Sequence, residues 1–289
     1  MKPTALEEIA KKGDHLEFAN EELPEQTFTG VVLDRCLFRQ IGLKRVTFRD
    51  GSIQHGRFLD AYLRHTTFEG VDLTGTRFEN CNLRHASFDR CKMWYVQFHR
   101  CDLDYSSLLE NLPVEVNLRR QLLRSLRLNA AEMGETPTAD RLLLMEMQAE
   151  RAEAWSTVTG STKYFSDNFT RGDRLTAFWG FVVHCLQRAI WGYGVRIRNL
   201  LVTGVVFILL SAALHWIVGS LFYTPPSNSE QTLGFCEALY VSVVTCSTLG
   251  FGDYAPASTF ARILASADSA AGAVFVGLFA AAAYRRIRR

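Results

Sequence analysis

The stretch Val71-Asp72-Leu73-Thr74-Gly75-Thr76-Arg77-Phe78-Glu79-Asn80-Cys81-Asn82-Leu83 places a large apolar residue at every fifth position, at 73, 78 and 83. Read outward, the series runs without a gap from Phe28, Leu33, Phe38, Leu43, Phe48, Ile53, Phe58, Leu63 and Phe68 to Phe88, Met93, Phe98, Leu103 and Leu108. A second series, two residues earlier in each step, is mostly small or medium: Cys36, Gly51, Gly56, Ala61, Thr66, Cys81, Ala86, Cys91 and Cys101. A helix repeats about every 3.6 residues and a strand about every 2, so neither produces a period of five. A fixed period of this kind marks a stacked array, in which neighbouring units bury a face that one unit cannot bury alone.

The units Val71-Asp72-Leu73, Cys81-Asn82-Leu83 and Cys101-Asp102-Leu103 resemble those of the pentapeptide-repeat family, written A-[DN]-L-x-x. The resemblance implies a right-handed quadrilateral β-helix over residues 26–110, with four units to a coil and coils stacked about 4.8 Å apart. It also implies that the central Leu or Phe and the small residue two before it both face inward. Cys36, Cys81, Cys91 and Cys101 then fill the core. The seven cysteines form no CxxC pair and no His cluster joins them, so no zinc site is expected. Residues 1–25 are read as a helical cap without a secretory leader, which places the solenoid in the cytosol. Some pentapeptide-repeat proteins imitate DNA behind an acidic exterior. Here Arg35, Arg39, Lys44, Arg45, Arg49, Arg84, Arg90 and Arg100 offset the acids, while Asp34, Asp50, Glu69, Glu79 and Asp89 interrupt the basic stretches. Neither DNA mimicry nor a nucleic-acid groove is expected, and a spacer or docking surface for a cytoplasmic protein is.

Beyond Leu108 the five-residue period stops. Asn117 to Leu128 and Ala139 to Trp155 read as two amphipathic helices around the turn Gly134-Glu135-Thr136-Pro137-Thr138, forming a hairpin connector over 111–160. Leu142, Leu143, Met145, Ala149 and Ala152 are its candidate packing face. Such a hairpin can cap the open end of a β-helix, whose last strands are otherwise unpaired. Leu175 to Ile190, within a linker over 161–197, is apolar but carries His184, Gln187 and Arg188. This predicts a helix lying along the inner leaflet rather than a third span, with Trp179 and Trp191 at headgroup level.

The 289 residues carry 21% charged side chains and a net charge of +2, but almost all of that charge precedes residue 200. Leu200 to Tyr223 holds no charged residue, a run of about 36 Å at about 1.5 Å per residue, enough to cross a bilayer. Arg196 and Arg198 precede this run, and Arg285, Arg286, Arg288 and Arg289 follow the last apolar one. Both flanks are therefore placed in the cytoplasm, with a multi-pass pore domain over 198–289 in the plasma (inner) membrane. The spans are expected at about 199–223 and 259–284. Between them Leu233 to Val244 is apolar and ends in a glycine-rich turn, a pattern that predicts re-entry into the membrane over a short helix at about 233–245.

That turn reads Thr245-Cys246-Ser247-Thr248-Leu249-Gly250-Phe251-Gly252-Asp253. It resembles the selectivity filter of the potassium-channel family, T-x-x-T-x-G-[YF]-G-D, and the resemblance implies a tetramer of identical two-span subunits around one pore. A dehydrated cation needs oxygens in place of its water shell, and four copies of Thr248, Leu249, Gly250 and Phe251 can supply rings of main-chain carbonyls for K⁺. Gly250 and Gly252 permit the dihedrals that turn successive carbonyls inward. The resemblance further implies that the Phe251 ring packs on the pore helix. Thr245 supports the filter, and Asp253 with Glu237 raises the local cation concentration at the outer mouth; Glu237 reads equally as a helix-terminus residue. Ser247, Leu249 and Val244 depart from the family pattern, the last where some relatives carry a buried glutamate.

In the second span, Gly272 stands where relatives place a hinge glycine and reads equally as a close-packing position, with Gly277 as the runner-up hinge. Asp268 is costly inside a membrane and is expected to hydrogen-bond behind the pore helix rather than bind ions. His215 is read as an interface or packing residue beside Trp216 rather than a proton sensor. No arginine-rich sensor helix and no dinucleotide fold is present, and no cofactor beyond the permeant ion is expected. An enzyme is not expected, since no nucleophile, metal or phosphate-loop arrangement occurs at workable spacing. The alternatives to a potassium channel are a weakly selective cation channel and a membrane-anchored interaction scaffold.

Overall fold

The computed structural model describes residues 16–23, 25–161, 163–217, 221–224 and 229–287. Most of the expected N-terminal cap, residues 1–15 and 24, lies outside the described residues, as do Arg288 and Arg289. The chain divides into two compact units, Met1–Phe181 and Val182–Arg289.

The first unit is a parallel β-solenoid. The strands Glu17–Ala19, Leu37–Arg39, Arg57–Leu59, Arg77–Glu79 and Gln97–His99 stack in one sheet, and Thr27–Thr29, Thr47–Arg49, Thr67–Glu69 and Ser87–Asp89 in another. The register sets Phe18 on Phe38, Phe58, Phe78 and Phe98, and Phe28 on Phe48, Phe68 and Phe88. Each coil thus consumes twenty residues, the separation of paired positions such as Arg49 and Glu69. Ring centroids in the first stack lie 5.1, 4.4, 4.9 and 5.2 Å apart, close to the strand spacing. The period of five is therefore a quarter coil, and its inward residues form continuous aromatic and aliphatic columns.

Turning the chain at every quarter coil has a backbone cost. Each residue whose number is a multiple of five, from Gly30 to Arg100, lies in the left-handed region, with φ between 50° and 72°. Only Gly30, Gly70 and Gly75 are glycines there, so Arg35, Gln40, Asp50, His65 and their equivalents each accept roughly 1 kcal/mol of strain that core burial offsets. Two residues before each central side chain, hydroxyls and thiols that face the core donate to a carbonyl of the coil below. Thr66 Oγ1 donates to the Leu43 carbonyl (2.7 Å), Cys81 Sγ to Phe58 (3.4 Å), and Cys91 and Cys101 Sγ to Phe68 and Phe78 (both 3.3 Å). Burial pushes the Cys91 thiol up to about 11, so it stays protonated at neutral pH.

The ladder starts earlier and ends earlier than the sequence suggested. Phe18 and Leu23 are already inside the core, so residues 16–23 form coil rather than a helical cap. Leu108 is buried but belongs to helix α1 (Tyr105–Glu110), because Asp104 caps a helix there by accepting the Ser106 N–H at 3.2 Å.

Helices α1, α2 (Val116–Glu132) and α3 (Thr136–Thr159) close the top of the solenoid. Their side chains take the main-chain groups that a further coil would have paired. Ser107 Oγ accepts the Phe88 N–H (2.9 Å), Asn111 Oδ1 the Arg90 N–H (3.0 Å) and Ser125 Oγ the Phe98 N–H (2.9 Å). Asn129, itself fully buried, accepts the Cys101 N–H at 2.7 Å and donates to the Cys101 carbonyl at 2.8 Å. Leu122, Leu123, Leu126, Leu142 and Ala149 extend the solenoid core into the hairpin. The short helix α4 (Lys163–Asn168) and the longer α5 (Arg171–Ile190) follow, the latter with no fully buried residue.

In the second unit α6 (Ile197–Ile217) and α8 (Thr259–Ile287) are, among the described residues, the two helices long and apolar enough to cross a membrane, over Ile197–Ile217 and Thr259–Tyr284. The charge-free run to Tyr223 is longer than its helix. Leu221–Thr224 is instead a strand, paired antiparallel with Ser229–Thr232 and with Ala255–Pro256. Between the two long helices lies α7 (Phe235–Cys246).

Candidate functional site

The glycine turn is set up by α7. Its first turn is capped by Glu237, which accepts the Gly234 N–H at 2.9 Å; the carboxylate serves the helix start. Its last turn passes directly into the turn, since Ser247 N–H donates to Val243 (2.9 Å), Thr248 N–H to Thr245 (3.1 Å) and Leu249 N–H to Val244 (3.1 Å). From there φ alternates in sign. Thr248, Gly250 and Gly252 have φ of 58°, 54° and 79°, and Leu249 and Phe251 between them do not share the left-handed region. Alternation of this kind turns successive carbonyls to one side of the chain and successive N–H groups to the other. A β-carbon at Gly250 or Gly252 would meet nothing within 4 Å, so it is dihedral freedom and not space that glycine supplies there.

Asp253 closes the turn. It accepts the Tyr240 O–H at 2.6 Å and the Tyr254 N–H at 3.2 Å, and the Tyr240 and Tyr254 rings meet edge to face at 5.8 Å. Leu249 and Phe251 are 62% and 67% exposed on the single chain. Within the single chain, Tyr240 and Tyr254 hold the outer end of the turn, and the Phe251 ring that the resemblance packs on the pore helix is exposed.

Of the residues singled out on α8, Gly272 meets the end of α7, and Gly277 has open space around it. Asp268 is buried and accepts Ser211 Oγ at 2.5 Å, with His215 Nε2 at 3.2 Å. Ser211 Oγ also lies 3.1 Å from Ser242 Oγ on α7. Sequence reasoning missed Ser211 and Ser242 and gave His215 a packing role. The signal available was Ser211 and His215 four apart on one face of an otherwise apolar helix, opposite a lone acid in the other span.

A capped β-solenoid, and two apolar helices that flank a short helix and a glycine turn, fall in two stretches that each match a family model. Residues 42–118 match the family model described as pentapeptide repeat region, and residues 200–289 the one described as ion channel. Over 73 residues the chain is 38% identical to the two-pore potassium channel 1 of Arabidopsis thaliana, a stretch that is 24% of this chain and 20% of that relative. The chain therefore spans about a fifth of the length of the curated relative it matches.

Among solved structures, a pentapeptide repeat protein (Rfr23) from the cyanobacterium Cyanothece 51142 is 15% identical, covering 32% of this chain and 82% of that one, with a TM-score of 0.18. A pentapeptide repeat protein of the Arabidopsis thaliana thylakoid lumen is 14% identical, covering 36% of this chain and 76% of that one, with a TM-score of 0.15. At such scores the solenoid is established by its own twenty-residue register.

Proposed function

We propose that this chain is one subunit of a homotetrameric, potassium-selective channel, in which the carbonyls of Thr248, Leu249, Gly250 and Phe251 replace the hydration shell of K⁺. The observation that carries this reading is the alternation of φ through Thr248, Gly250 and Gly252, a backbone pattern suited to turning consecutive carbonyls to one side. A single chain offers those oxygens on one side only, and a cation stripped of water needs them all round, so four copies about an axis are required. The exposure of Leu249, Phe251, Ile263 and Val274 fits surfaces that neighbouring subunits and lipid cover. Thr245 anchors the inner end of the filter and Asp253 the outer mouth, where its carboxylate favours cations.

The arginines at 196 and 198 and at 285, 286, 288 and 289 support a topology with both ends of the pore domain on the cytoplasmic side of the plasma (inner) membrane. The solenoid is then cytoplasmic, and its mixed-charge exterior suits docking or regulation.

Reconstitution into liposomes tests the proposal. K⁺ efflux well above Na⁺ efflux is expected, together with its loss in Gly250→Ser, because a side chain at φ 54° strains the turn. Equal flux of the two ions, or flux indifferent to that substitution, rejects it.

A further inference from the structure

A carboxylate inside a candidate membrane span must find partners there, because leaving it unpaired is costly. Asp268 finds two. Its Oδ2 accepts Ser211 Oγ at 2.5 Å and faces His215 Nε2 at 3.2 Å, and His215 is fully buried. Ser211 in turn lies 3.1 Å from Ser242. A serine hydroxyl has one hydrogen to give. Ser211 spends it on the carboxylate, so the contact with Ser242 requires Ser242 to be the donor. The run therefore has a single direction, from Ser242 to Ser211 to Asp268, and it ties α7 to α6 and α8 at one buried point.

Around this point the packing leaves little play. The Phe222 ring meets His215 edge-on at 5.5 Å, and Ser242 is itself fully buried. Ser242 sits one turn before the end of α7, and the hydrogen bonds of Thr248 and Leu249 to Thr245 and Val244 make the glycine turn a continuation of that helix. Any shift of α7 thus moves the carbonyls that follow.

We infer that Ser242, Ser211 and Asp268 form a hydrogen-bonded strut that fixes the height and rotation of the pore helix, which makes Ser242 and Asp268 positioning residues for ion selectivity. The inference rests on the channel reading. Its chemistry is distinct from that reading, because none of these side chains touches the ion path: they act by holding the helix that presents the carbonyls. Removing either hydroxyl cuts the same run, so the two losses cannot add.

The test uses the full chain in liposomes, with K⁺ and Na⁺ flux measured separately for wild type, Ser242→Ala, Ser211→Ala, the double variant and Ser242→Thr. The expected result is a K⁺ over Na⁺ flux ratio lowered about tenfold by Ser242→Ala, as for loss of one buried hydrogen bond, and at least as far by Ser211→Ala, which loses both contacts of the run. The double variant falls no further than Ser211→Ala alone, and Ser242→Thr, which keeps the hydroxyl but must fit one buried methyl, keeps more of the ratio than Ser242→Ala. If alanine at 242 prevents assembly, Ser242→Cys, with a weaker donor of similar size, is expected to lower the ratio less and in the same direction. An unchanged ratio in an assembled variant that lacks the hydroxyl, or two alanine effects that multiply, overturns the strut and leaves the channel reading standing. A wild-type protein that passes neither ion overturns both.

Discussion

Gly272 on α8 abuts the main chain of Cys246 at the end of α7: a β-carbon at 272 would fall 1.9 Å from the Cys246 carbonyl oxygen. The obstacle is backbone, which cannot rotate away as a side chain can. Gly272→Ala is accordingly expected to cost at least about 1–3 kcal/mol and to lower the melting temperature of the purified protein. Gly277, with nothing within 4 Å, should accept alanine at no measurable cost. Equal tolerance at the two positions in a thermal melt would remove the close-packing role.

The solenoid core predicts a second measurement. Phe58 is fully buried between Phe38 and Phe78, with ring centroids 4.4 and 4.9 Å away. Phe58→Ala leaves a cavity that the stacked coils above and below cannot fill, so a loss of about 3–5 kcal/mol is expected in denaturant unfolding of the solenoid. A loss below roughly 1 kcal/mol would mean that the columns collapse around a missing ring.

At the capped end, Asn129 is the sole described side chain bonded to both the N–H and the carbonyl of Cys101. Asn129→Leu preserves volume and strands both buried groups, at roughly 1–3 kcal/mol each. Hydrogen exchange should then accelerate at Cys101 and Asp102 well before it does at mid-solenoid amides such as those of residues 58–63. Uniform acceleration along the solenoid would contradict a local capping role.

One face of the solenoid predicts a pH effect. His65 stacks on His85 with centroids 4.9 Å apart. Desolvation, followed by the positive charges of His85, Arg64, Arg45 and Lys44, holds its pKa below the ordinary 6.5. The folded state then binds fewer protons than the unfolded chain, so the stability is fully present above pH 6.5 and declines as pH falls below it. His65→Gln should flatten that decline in melts recorded at successive pH values; a variant with the same acid sensitivity as wild type would show that other groups cause it.

Much of the solenoid was legible because its signal is periodic and local. The inward columns at 28, 33, 38 and onward follow from a count of five, and the need for a cap follows from unpaired strands. The ends were less so. Phe18 and Leu23 keep the same register but sit among charged residues, which masked them, and Leu108 keeps it inside a helix that Asp104 starts. In the pore domain the turn at 245–253 stood out because its residue types are constrained one by one. The run from Ser242 to Asp268 did not, since its members are separated by 31 and 57 positions and only tertiary packing brings them together. The charge-free stretch up to Tyr223 was read as helix throughout because apolar composition alone cannot separate a helix end from a strand.

The left-handed corners at every multiple of five turn the solenoid into an indexed screw. A segment of twenty residues inserted at a corner would lengthen the column by about 4.8 Å and leave the hairpin above it facing the same way. A segment of five would swing that hairpin through a quarter turn, and one residue more or less would throw every inward side chain above it out of phase. Changes in chain length are thus graded by this repeat into pure translation, reorientation with a small rise, and collapse.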